Sequence, residues 1–122
     1  MNTTELITKI NESCKKQIDE RLYITAADCL LDVGFITIAD YEAWEDGKIE
    51  YLEKICRAST QELSQVLNSI RSYAKEERLK STQLPYNGVN GRLYFSKRKQ
   101  DNVECAYRTI YMDPSLKKRD IQ

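Results

Sequence analysis

The sequence contains no histidine. That removes the side chain most often used for proton transfer near neutral pH and the commonest transition-metal ligand. A Ser or Cys nucleophile would need activation by Lys, a carboxylate or a helix N-terminus, and no signature of such an arrangement is present. Glycine is scarce: Gly34, Gly47, Gly88 and Gly91 form neither a G-x-G-x-x-G run nor a P-loop, so no phosphate-cradling nucleotide site is written. The four cysteines, Cys14, Cys29, Cys56 and Cys105, are scattered without a C-x-x-C pair, which excludes a locally encoded zinc knuckle or thioredoxin-like motif. Reduced thiols packed in the core are the expectation. These absences argue for a non-enzymatic protein with no cofactor, no metal and no small-molecule substrate.

No apolar run approaches 18 residues, and Met1-Asn2-Thr3-Thr4-Glu5 lacks the basic and apolar regions of a signal peptide. A cytoplasmic protein without membrane contact is expected. With 122 residues, 41% hydrophobic and 31% charged, the chain suits one domain with a modest core. That domain is placed at residues 1–114. The polar tail 115–122, with Lys117-Lys118-Arg119, has almost nothing to bury and is expected to fray.

Net charge is zero but unevenly spread: residues 1–56 carry twelve acids and six bases, residues 57–122 thirteen bases and seven acids. Such asymmetry fits a basic face for nucleic acid, an acidic face for a basic partner, or two halves that attract each other within the fold.

The chain writes the same helix start twice, as Tyr23-Ile24-Thr25-Ala26-Ala27-Asp28 and Phe35-Ile36-Thr37-Ile38-Ala39-Asp40. In each copy the Thr can cap a helix and the Asp three residues on can answer it, so short helices are expected over about 26–33 and 38–46, each ended by a glycine. A longer helix is expected over 4–21, where Leu6, Ile7, Ile10, Cys14, Ile18 and Leu22 form one row. Another helical segment is read over 49–56. Ser59-Thr60-Gln61-Glu62 is a capping box that opens the strongest helix, running to about residue 79.

The period then changes to two. Thr82-Gln83-Leu84-Pro85-Tyr86, the turn Asn87-Gly88-Val89-Asn90-Gly91 and Arg92-Leu93-Tyr94-Phe95-Ser96-Lys97 read as a β-hairpin. A last helix over 102–112 would bury Val103, Ala106, Tyr107, Ile110 and Tyr111, and Asp113-Pro114 would end it. The fold class is therefore α+β, mainly helical, with four or five helices, a C-terminal β-hairpin and a closing helix.

Two short helices in tandem have helix-turn-helix spacing, but the second carries Asp40, Glu42, Glu45 and Asp46 with no Lys or Arg before Lys48. Four carboxylates among phosphates would be repelled where a DNA reader needs cations. The acidic helix instead suits packing, the pair of short helices lying on the first and long helices through Leu30, Leu31, Val33, Tyr41 and Trp44, or docking to a basic protein partner or a second copy of the chain. Nucleic-acid contact moves to the hairpin. Alternation puts Arg92, Tyr94, Ser96 and Arg98 on one face, with Lys97 and Lys99 nearby, a set able to meet phosphates and stack on a base. Exposed basic strands also serve simply to prevent edge-to-edge aggregation.

The segments Gly34-x-Ile36-Thr37-x-x-Asp40-Tyr41-Glu42-x-Trp44 and Arg92-Leu93-x-Phe95-Ser96-Lys97, with Ala106-Tyr107 beyond, resemble a group of short, uncharacterised bacterial proteins. The resemblance spans residues 23 to about 112 and implies a bacterial, single-domain, intracellular chain. It brings no activity and no site residue.

Overall fold

Asn2 opens the first helix. Its side chain accepts from the Glu5 amide at 2.8 Å and caps α1 (Thr3–Arg21), whose Leu6, Ile10 and Cys14 are buried as the row requires. The structure, a computed structural model, describes residues 1–89 and 91–121. Both copies of the repeat start helices: Thr25 caps α2 (Ala26–Val33) and Thr37 caps α3 (Ile38–Glu45), each accepting from the amide of the Asp three residues on. Gly34, at φ 88°, ends α2 in the left-handed region. The copies differ before their caps. Tyr23–Ile24 forms a short strand, β1, whereas Phe35 and Ile36 are buried without one.

Ser59 and Glu62 exchange both capping-box bonds, at 3.1 and 2.9 Å, and open α4 (Thr60–Glu76). Leu63, Val66, Ile70 and Ala74 line its buried face. Helices α1, α2 and α4 pack on one another and form the helical core. The sequence reading also places the second repeat helix there. Instead, α3 makes its main contacts with the hairpin and with a 3₁₀ turn at Leu52–Ile55. That turn is all that forms of the helix read over 49–56. The amides of Leu52 and Glu53 donate to the carbonyls of Tyr94 and Phe95 and are lost to a local helix.

The C-terminal half departs further from expectation. Strand β2 (Lys80–Gln83) does not pair with 92–97 but runs antiparallel to β5 (Thr109–Met112), which also pairs with β1, giving the order β1-β5-β2. The closing helix α5 (Asp101–Arg108) therefore ends four residues early. Ile110 and Met112 alternate with less buried neighbours, a period of two that a pairing strand requires. Ala106, expected in the core, is exposed. The hairpin shrinks to β3 (Asn87–Gly88) and β4 (Gly91–Arg92); Asn90 in its turn and Gln122 in the tail lie outside the described residues. Gly88 is required there, because a Cβ would collide with the Glu45 carbonyl and the Leu93 side chain. Among the described residues, five α-helices and small antiparallel sheets make the protein α+β and mainly helical. Among the described residues, no helix is long and apolar enough to cross a membrane.

Burial raises the Tyr86 phenol from 10.0 to about 12 and the Cys56 thiol from 9.0 to about 12. Between those values the folded chain keeps protons that the unfolded chain releases, so the unfolded state binds fewer and stability falls as pH rises. Unfolding free energies from urea titrations should decline from pH 9 to 12, by up to about 1.4 kcal/mol per pH unit for each group.

Candidate functional site

The basic segment after β4 is not a strand, yet its backbone is held as firmly as one. Leu93 donates to the Tyr86 carbonyl at 2.8 Å. The Tyr94 carbonyl accepts from the Leu52 amide at 3.1 Å and from the Trp44 indole Nε1–H at 2.8 Å. The Phe95 carbonyl accepts from Glu53 at 2.9 Å. On the other side, Glu104 of α5, only 1% exposed, accepts from the amides of Phe95 (2.9 Å) and Ser96 (2.8 Å) and from the Ser96 hydroxyl (2.7 Å). One buried carboxylate thus takes the bonds a neighbouring strand would take, which is why no sheet continues here.

This pinning corrects the alternation read from sequence. Ser96 is buried rather than sharing an exposed face with Arg92, Tyr94 and Arg98. Phe95 is fully buried, stacked on Tyr107 at 5.0 Å and packed 5.0 Å from Trp44 between ring centroids.

The five basic-loop residues divide into two groups. Arg92 and Lys99 both lie against the half-buried Tyr94 ring, 5.2 and 4.4 Å from its centroid. Tyr94 therefore gathers two cations rather than presenting a free ring face for a base. Lys97 and Arg98 line a different feature, a cleft of about 740 Å³ between α4 and α5. Its walls include Leu63, Leu67 and Val103, and Tyr107, whose hydroxyl donates to Glu53 at 2.6 Å, closes one side. Burial, and then that bond, push the Tyr107 phenol up. Arg92, Lys97, Arg98 and Lys99 are exposed, and among the described residues none takes part in a salt bridge.

The acidic set lies on and just beyond α3, which Trp44 ties to the loop. Glu42, Glu45 and Asp46 are exposed and Asp40 is half-buried. Burial, with Asp46, Asp28 and Glu42 nearby, pushes the Glu45 carboxyl up. The Trp44–Tyr94 bond joins α3 to the basic loop, so the two candidate surfaces adjoin. The first repeat's Asp has another task. Asp28 accepts from Arg21 at 2.6 Å and from its own cap, Thr25, at 2.8 Å, while the Thr25 amide goes to Gln17.

Sequence reasoning missed Glu104 and read Trp44 only as a packing residue, whereas both fix the loop. Glu104 stands one turn before Tyr107 on the buried stripe of α5, the single signal that it points inward. Among the described residues, no group of three or more Cys, Asp or Glu is placed to hold a metal ion. Comparison with protein-family models, with curated proteins and with solved structures finds no match.

Proposed function

We propose that this is a small non-enzymatic accessory or regulatory protein that holds nucleic acid against the loop of Arg92, Tyr94, Lys97, Arg98 and Lys99. The observation that supports this reading is a run of exposed cations outside any salt bridge among the described residues, on a loop whose Leu93–Ser96 backbone is fixed from both sides. Preformed cations lose little freedom when they meet phosphates, and each phosphate they neutralise releases condensed counterions. The cleft beside Lys97 and Arg98 sets Leu63, Leu67, Val103 and Tyr107 among polar side chains and has room for a base that has left its stack, which favours a single strand over a duplex.

Fluorescence anisotropy with a labelled single-stranded oligonucleotide tests the reading. With about four phosphates neutralised, log K should fall against log salt with a slope of roughly −3, and Arg92→Ala/Arg98→Ala should halve it. No retention of the oligonucleotide at low salt, or a slope near zero, would remove the reading.

A second reading, as a protein-interaction module, has its own support. Ile38, 69% exposed, stands one turn before Glu42 on the acidic helix and gives that face an apolar anchor. A basic protein partner, or a second copy joined head to tail, fits such a surface. Sedimentation should then show an oligomer that dissociates with salt and with Glu42→Lys; a monomer at every salt concentration would rule out self-association.

A further inference from the structure

Two of the four cysteines meet. Cys14 on α1 and Cys29 on α2, both fully buried, have their sulfurs 4.0 Å apart. The polar groups around them converge on one sulfur. Gln17 Nε2 donates to Cys29 Sγ at 3.3 Å, and Ser13 Oγ lies 3.4 Å from it. Gln17 cannot turn away, because its Oε1 accepts from Arg21 at 2.6 Å and from the Thr25 amide at 2.9 Å. Its amide hydrogens are thereby aimed at Ser13 and Cys29. A neutral thiol is a weak acceptor and gains little from such an arrangement, whereas a thiolate gains much.

We infer that Cys14 and Cys29 form a peroxide-sensitive dithiol that closes to a disulfide between α1 and α2, with Cys29 attacking and Cys14 resolving. The bond from Cys14, joined by that from Gln17, holds the Cys29 thiol below its ordinary value against the cost of burial and the nearby Asp32 carboxylate. Its bond to Cys29, together with burial, pushes the Cys14 thiol up. The nearest approach from solvent is at Ser13, which touches the Cys29 sulfur and forms part of the wall of a surface cleft with Lys9, Glu12, Lys16 and Asp32. Ser13 also touches the Asp32 carboxylate at 2.6 Å, which gives the thiol proton a route outward.

In the first step the Cys29 thiolate attacks one oxygen of hydrogen peroxide. The O–O bond breaks, the departing hydroxide takes up the proton that the thiol gave up, and water leaves a sulfenic acid on Cys29. The Cys14 sulfur then attacks the Cys29 sulfur; the S–O bond breaks, and the Cys14 proton leaves with the hydroxide as a second water. Two thiols lose two electrons to one peroxide. The sulfurs must approach by about 2 Å to reach bonding distance, a side-chain movement between two adjoining helices.

The test uses the full chain, in wild type and in a Cys56→Ser/Cys105→Ser background, treated with hydrogen peroxide, then unfolded and alkylated. The background variant should lose both free thiols, with a mass lower by two hydrogens, restored by a dithiol reductant. Cys14→Ala should stop at a sulfenic acid that dimedone traps on Cys29. Gln17→Met should move the pH midpoint of that trapping upward. Full alkylation of Cys14 and Cys29 in wild type, after peroxide has oxidised Cys56 and Cys105, overturns the proposal. Dimedone on Cys14 in Cys29→Ala at the rate seen for Cys29 overturns the division of roles.

Discussion

Glu104→Ala should release the basic loop and destabilise the protein by about 3–5 kcal/mol, since it strands buried backbone donors and removes a buried carboxylate's bonds at once. The Phe95 and Ser96 amides and the Ser96 hydroxyl all lose their acceptor, at a site 1% exposed where water cannot replace it. Urea denaturation followed by circular dichroism reads the loss. Glu104→Gln should cost less: its carbonyl oxygen still accepts, while its amide group confronts donors. Oligonucleotide binding separates charge from order. Losing an acid beside four cations raises the net charge and by counterion arithmetic should tighten binding. Fixing even a few loop residues costs about 1–2 kcal/mol each, so the disordered loop should win and affinity should fall roughly tenfold or more. Unchanged affinity in a folded Glu104→Ala protein would show that loop order does not matter to binding.

Trp44→Ala should cost about 3–5 kcal/mol, the range for emptying a buried large aromatic site. Trp44 is 0% exposed, lies 5.0 to 6.2 Å from the rings of Tyr41, Tyr86 and Phe95, and donates to the Tyr94 carbonyl. Trp44→Phe keeps much of the ring contact and loses the N–H, and the Tyr94 carbonyl keeps its bond from Leu52. It should cost about 1–2 kcal/mol. Circular dichroism must follow both, because Trp44 is the only tryptophan and its fluorescence disappears with it. Equal losses for the two substitutions would mean that the indole bond, not ring packing, ties α3 to the loop.

The parts legible in the sequence are those decided within a few residues. Thr25, Thr37 and Ser59 cap the helices that they announce, and Gly34 ends its helix in the conformation that only glycine adopts easily. The sheet was not legible, because its pairings join residues far apart. Thr109 to Met112 continue the helical stripe of Val103 and Tyr107 when read locally, and only pairing to Tyr23–Ile24 and Lys80–Gln83 makes them a strand. The same holds at the candidate site. The cations are evident from composition, but what fixes them is Glu104, eight residues beyond Ser96, and Trp44, fifty residues before Tyr94. A lone glutamate in a helix reads as solvent-facing until its position one turn before Tyr107 is weighed.

The strand order β1-β5-β2 also sets a timetable for folding. The central strand comes from residues 109–112, so neither flanking strand has a partner until synthesis has passed residue 112. The nascent protein can collapse α1, α2 and α4 early, because those contacts need only residues up to 76. Until residues 109–112 arrive, Tyr23–Ile24 and Lys80–Gln83 are open edges, and a charge such as Lys80 on the longer one disfavours pairing with a neighbouring chain.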